Sequence, residues 1–171
     1  MAKHKISKAN QKVYFAGFYL EAIEMTEKDE RLVNRRAVVA AHRESCLFHL
    51  VGAYEGLVWE VAHTYDIPYQ PGQSLQPILA AQSAAGKSVP ELEQLADLLA
   101  SPGSWLQRMM VAWHRIQDLD PASTTVAKAP VNLNAIEVRV SMEEDDLLQL
   151  PDWHDKLRSL IEEIRERLGE W

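Results

Sequence analysis

Apolar positions recur at intervals of three and four residues through most of this chain, which is the period of an α-helix, not of a strand. From Ser7 to Met25 the set Val13, Phe15, Phe18, Tyr19, Ala22, Ile23 and Met25 covers more than one stripe, predicting a helix packed on two neighbours. A polar turn at Thr26–Asp29 leads into a stretch with no Pro that runs to Tyr65. If Asp29–Tyr65 were one helix it would span roughly 55 Å at about 1.5 Å per residue. Arg35, Arg36, His42, Arg43 and Glu44 make it too polar to cross a bilayer. Leu47, Leu50, Val51, Tyr54, Leu57, Val58 and Val61 repeat as a bundle seam. Val39, Cys46 and Ala53, with Val38, Gly52 and Trp59 beside them, fall on another side. A helix apolar on two sides is expected at the centre of a bundle or at a subunit interface. Gly52 and Gly56 cost about 1 kcal/mol each against Ala unless a neighbouring helix approaches closely.

Pro68, Pro71 and Gly72 mark a loop over 67–74, after which Leu75–Ala84 is predicted to be a short helix stopped at Gly86. Ser88, Pro90 and Glu91 form a helix-start signature, with Ser88 expected at the cap and Glu91 completing a capping box for a helix from Pro90 to Ala100. Ser101–Ser104 interrupts it, and Leu106, Met109, Met110, Trp113, Ile116 and Leu119 define the next apolar face. Residues 121–146 lose the helical pattern, and Ile136, Val138 and Val140 alternate with polar residues like a short strand without a mate. The acidic run Glu143–Asp146 reads as a solvated lead-in. The last helix is expected to enter through Pro151 and Asp152, with Trp153, Leu157, Leu160, Ile161, Ile164, Leu168 and Trp171 on one stripe. The whole pattern predicts an all-α bundle of four to six helices around one long central helix, with an irregular or extended segment near 121–146, in a single domain spanning 1–171.

Composition narrows the function classes. A net charge of −7 in 171 residues argues against wrapping a phosphate backbone, so nucleic acid is not an expected partner. The basic start (Lys3, His4, Lys5, Lys8, Lys12) reads as a solvated helix beginning. The lone Cys46 rules out an internal disulfide and points to a reducing, cytoplasmic location, and neither a signal peptide nor a membrane span is visible.

Candidate chemistry lies on the long helix. His42, Cys46 and His49 stand at i, i+4 and i+7, on roughly one side, and two of them could ligate zinc. Strung over two turns, however, three such ligands span about 10 Å, whereas zinc gathers its ligands within about 2.3 Å. The plainer expectation is a buried Cys with two partly buried imidazoles hydrogen-bonded to neighbouring carboxylates or carbonyls, with no cofactor. Trp59, Trp105, Trp113, Trp153 and Trp171 read mainly as packing. No phosphate-binding glycine loop or nucleophile elbow occurs.

Arg36 with His42, and Arg43 with His49, have a spacing that resembles the ribonuclease motif of HEPN domains, small helical bundles that dimerise and place the pair in a cleft between subunits. The resemblance implies a general-acid or base role for His42 or His49 and phosphate-charge stabilisation by Arg36 or Arg43. Arg36 is followed by Ala37 and Arg43 by Glu44, which departs from that motif, and ordinary ion pairing accounts for the same residues. Separately, the segments Asn10-Gln-Lys-Val-Tyr-Phe-Ala-Gly, Arg43-Glu-Ser-Cys-Leu-Phe-His-Leu and Glu60-Val-Ala resemble a family of uncharacterised bacterial proteins of pseudomonad type, over about Lys8–Ile116. That resemblance implies a helical protein and carries no activity. The function expected from the sequence is therefore a non-enzymatic interaction or regulatory protein forming a homodimer, with a further protein partner left open. Phe15, Phe18, Val39, Gly52 and Trp59 are the expected interface. A HEPN-like dimeric ribonuclease and a metal-binding protein using Cys46 with His42 or His49 are the alternatives.

Overall fold

The computed structural model describes residues 7–118 and 144–169, which form six α-helices and, among those residues, no strand. They are α1 (Lys8–Lys28), α2 (Arg35–Thr64), α3 (Leu75–Ala84), α4 (Pro90–Ala100), α5 (Trp105–Gln117) and α6 (Glu144–Gly169). The strand-like alternation at 136–140 and most of the irregular segment expected near 121–146 lie outside the described residues.

The long helix is real but begins later than its polar lead suggests. Asp29 Oδ1 accepts the backbone N–H of Arg31 at 3.0 Å, and Leu32 N–H bonds Asp29 O at 3.4 Å, closing a turn in place of a helical start. Asp competes with helix for its own backbone in this way. α1 in turn runs three residues beyond Met25, and its N-cap Ser7 accepts the N–H of Asn10. At α4 the cap is Val89, not Ser88; Ser88 Oγ instead donates to Glu93 at 2.9 Å. Glu91 is buried and accepts from Tyr65 Oη at 2.8 Å, so the expected capping box is not formed. Pro151 lies inside α6, which already begins at Glu144, so 144–146 are helical and not a lead-in. An interior Pro forfeits one backbone bond, a loss of about 3 kcal/mol. Buried Leu150, Trp153 and Leu157 around it are the packing that offsets this.

α2 sits at the centre, packed against α1, α4, α5 and α6, while α3 rests mainly on α4. Its seam residues Leu47, Leu50, Leu57, Val58 and Val61 are fully covered, and they join Leu92, Leu95, Leu106, Met109, Trp153, Leu157, Ile161 and Ile164 in one continuous core. α1 runs antiparallel to α2. It passes close to α2 at Gly56, where a Cβ would come within 3.0 Å of Ala9 N and 3.2 Å of Ala9 Cα. One turn further along, Glu60 accepts from Ser7 Oγ and from Arg165 Nη2 at 2.7 Å, tying α1, α2 and α6 together. His154 Nε2, 3.2 Å from Val13 O, donates to that carbonyl and bridges α6 to α1. No helix among the described residues is long and apolar enough to cross a membrane.

Candidate functional site: an aromatic face across α1, α2 and α5

Rings gather where α1, α2 and α5 meet. On α1, Tyr14 and Phe18 stand one turn apart, with centroids 4.7 Å apart in an edge-on contact. Tyr14 also lies 6.5 Å from Phe15, which meets the edge of His49 on α2 at 5.4 Å. His49 stacks on Tyr19 at 5.4 Å and touches Phe48 at 5.2 Å, and Phe48 reaches Trp113 of α5 at 6.1 Å. The result is an unbroken path of ring contacts over three helices. Its middle is sheltered but its margins are not: Tyr14 is 65% exposed, Phe18 50% and Phe48 51%, and Met25, further along α1, is 73% exposed. Lys12 Nζ lies 4.7 Å over the Phe48 ring while its alkyl stem covers Gly52.

His49 is the polar centre of this face. Its Nδ1 is buried and has no hydrogen-bond partner among the described residues. Burial first, and the charge on Lys12 second, hold its imidazole below the ordinary range. A neutral ring is therefore favoured among its aromatic neighbours. His42 contacts Tyr19 at 5.8 Å. Arg43 donates from Nη2 to Glu27 Oε1 at 2.7 Å, so its charge joins α2 to the end of α1. Arg36 is exposed. The four residues of the Arg/His spacing thus have different surroundings: an ion pair for Arg43, ring contacts for both imidazoles and solvent for Arg36.

Cys46 does not point with His42 and His49 into one cluster. Its thiol is buried against α1, where Sγ donates to Ala16 O at 3.6 Å, and burial pushes its pKa up to about 12. A thiol so held resists forming the thiolate a metal would need. Among the described residues no group of three or more His, Cys, Asp or Glu is placed to hold a metal ion.

The expected interface set divides. Phe18 is exposed on the aromatic face and Phe15 is half-buried within it. Val39 is buried inside the subunit, away from any surface, and Gly52 is half-buried under the stem of Lys12. Trp59 is 45% exposed but is stacked on His63 at 4.9 Å, apart from the ring path. Tyr14 and Phe48, exposed on this face, are not in the set expected from sequence. The i, i+4 placement of Tyr14 with Phe18 was a usable signal; nothing local marked Phe48 as a neighbour of Trp113. A separate groove of about 390 Å³ between α4, α5 and α6 is lined by Leu98, Trp105, Asp155, Lys156 and Glu163. Its charges are engaged with others on α6: Lys156 with Asp152, Asp155 with Arg158 and Glu163 with Arg167.

A family model described as a family of unknown function (DUF6586) matches residues 1–171. No curated protein and no solved structure matches significantly.

Proposed function

We propose, for a chain that belongs to the DUF6586 family, that its role is that of a non-enzymatic interaction protein which self-associates through the aromatic face of α1, α2 and α5. One observation carries this reading: the continuous path from Tyr14 and Phe18 through Phe15, His49 and Phe48 to Trp113, open to solvent at Tyr14, Phe18 and Phe48. Isolated exposed apolar side chains are ordinary, whereas rings joined into one patch mark contact surfaces. Aromatic side chains are also enriched at protein interfaces, because a rigid ring buries much area for little lost freedom. A cytoplasmic homodimer is the form this reading takes.

The test is light scattering on the wild type and on Phe18→Glu at rising concentration. Wild type should pass from monomer to dimer, and the variant should remain monomeric with its melting temperature unchanged, since the side chain is half exposed in the single subunit. A wild type that stays monomeric throughout, or a variant that dimerises as well as wild type, overturns the assignment.

A further inference from the structure

Along its outer side α1 presents Gln11, Tyr14, Phe18, Glu21 and Met25, all exposed and spaced by three, four, three and four residues. That is the spacing of a helix–helix seam, and here it faces away from the core. α1 leans on α2 and α6, and neither covers this stripe. The seam is also electrically uneven. Glu24 is taken by Lys28 at 2.5 Å and Glu27 by Arg43 at 2.7 Å. Lys8 near the start of α1 and Glu21 toward its end remain exposed, with no ion pair among the described residues.

Resting on the self-association proposed above, we infer that two copies pair through α1 in antiparallel fashion, about a two-fold axis level with Ala16. Residues whose numbers add to 32 then face one another. Tyr14 meets Phe18 of the second copy on both sides of the axis, bringing four rings into one cluster. Gln11 meets Glu21 of the second copy, so that a carboxylate receives an amide N–H and lies toward the Lys8 end of its partner. A parallel pair would set Glu21 beside Glu21 within the seam and align the two helix dipoles, both unfavourable. The antiparallel pair reverses both terms, and its single self-complementary patch is what a closed dimer requires.

Cysteine cross-linking decides the direction. Gln11→Cys and Glu21→Cys change exposed positions, and native Cys46 is buried and silent. Each variant alone should give no disulfide dimer under mild oxidation, because identical positions lie about 15 Å apart along antiparallel helices, beyond the roughly 7 Å that a disulfide tolerates between Cα atoms. An equimolar mixture should give the mixed disulfide dimer, with helical content unchanged by circular dichroism. If each variant instead links to itself, the pairing is parallel and this inference fails while self-association stands. If light scattering shows a dimer lost in Phe18→Glu yet no combination links, the axis is misplaced and the inference again fails alone. A monomeric wild type ends both.

Discussion

At the scale of single residues, His49 and Cys46 show how burial sets chemistry. In an unfolded chain the His49 imidazole titrates near its ordinary value of about 6.5, whereas in the fold it is held lower, chiefly by burial and then by Lys12. The unfolded state therefore takes up the proton first as pH falls. His49's contribution to stability is complete above that ordinary value and is lost progressively below it. Urea midpoints measured from about pH 7 to about pH 5 should fall in wild type, and the fall should be shallower in His49→Phe, whose ring suits the same neighbours. Equal slopes would mean the imidazole is not sheltered as described. Cys46, fully covered by α1 and raised to about 12, should react with a thiol reagent no faster than the protein unfolds. Rapid labelling of native protein would contradict its placement against Ala16. Sequence spacing put these two side chains with His42 on roughly one flank of α2. What separates them is which neighbour each azimuth meets, α1 backbone for Cys46 and rings for His49, and spacing along one helix does not encode that.

At the scale of elements, the pair Gly52 and Gly56 distinguishes a required glycine from a tolerated one. A Cβ at Gly56 would press on the backbone of Ala9, which cannot retreat without shifting the start of α1. At Gly52 the nearest atoms are the flexible stem of Lys12, at 3.4 Å. Gly56→Ala should therefore lose about 1–3 kcal/mol of stability through overpacking, less what helix propensity returns. Gly52→Ala should be neutral or gain up to about 1 kcal/mol, because Lys12 can move aside. Chemical denaturation of both variants checks this, and similar behaviour at the two sites would remove the argument for close approach at Ala9. Two glycines four apart on a long apolar helix pointed to a close approach, but not to which of the two requires it. Helix identity was legible too, to the residue for Leu75–Ala84 and Pro90–Ala100, where Pro, Gly and Ser punctuate the chain. Boundaries failed where such punctuation is absent or is overridden by packing. The turn after α1 rests on Asp29 bonding its own neighbourhood, and Pro151, a usual helix opener, is carried in the interior of α6 by buried side chains on either side.

At the scale of the whole molecule, stability is concentrated around α2 and thins toward α3. α2 buries residues from Val39 to Ala62 on several sides, whereas α3 buries only Leu75 and Ile78. The aromatic face belongs to this scale as well, since Phe48 and Trp113 meet only when α5 packs on α2, a juxtaposition no local pattern announces. The approach to α3 is held by one carboxylate: Glu55 accepts from Tyr69 Oη and, at 3.1 Å, from the backbone N–H of Gly72, clasping the loop between α2 and α3 to the side of α2. Local opening begins where buried contacts are few and backbone bonds are exposed, so the loop and α3 should exchange amide hydrogens well before the centre of α2. Glu55→Ala removes both bonds of the clasp, a loss of roughly 1–2 kcal/mol, and should speed exchange over residues 69–84 about tenfold. Exchange at Leu50–Val58 should be nearly unchanged, because that stretch lies mid-helix in α2, packed against α1, α4, α5 and α6, and keeps that cover when the clasp is lost. Uniform acceleration throughout the chain would instead show that α3 and its loop belong to the same cooperative unit as the central helices, and that Glu55 supports the entire fold.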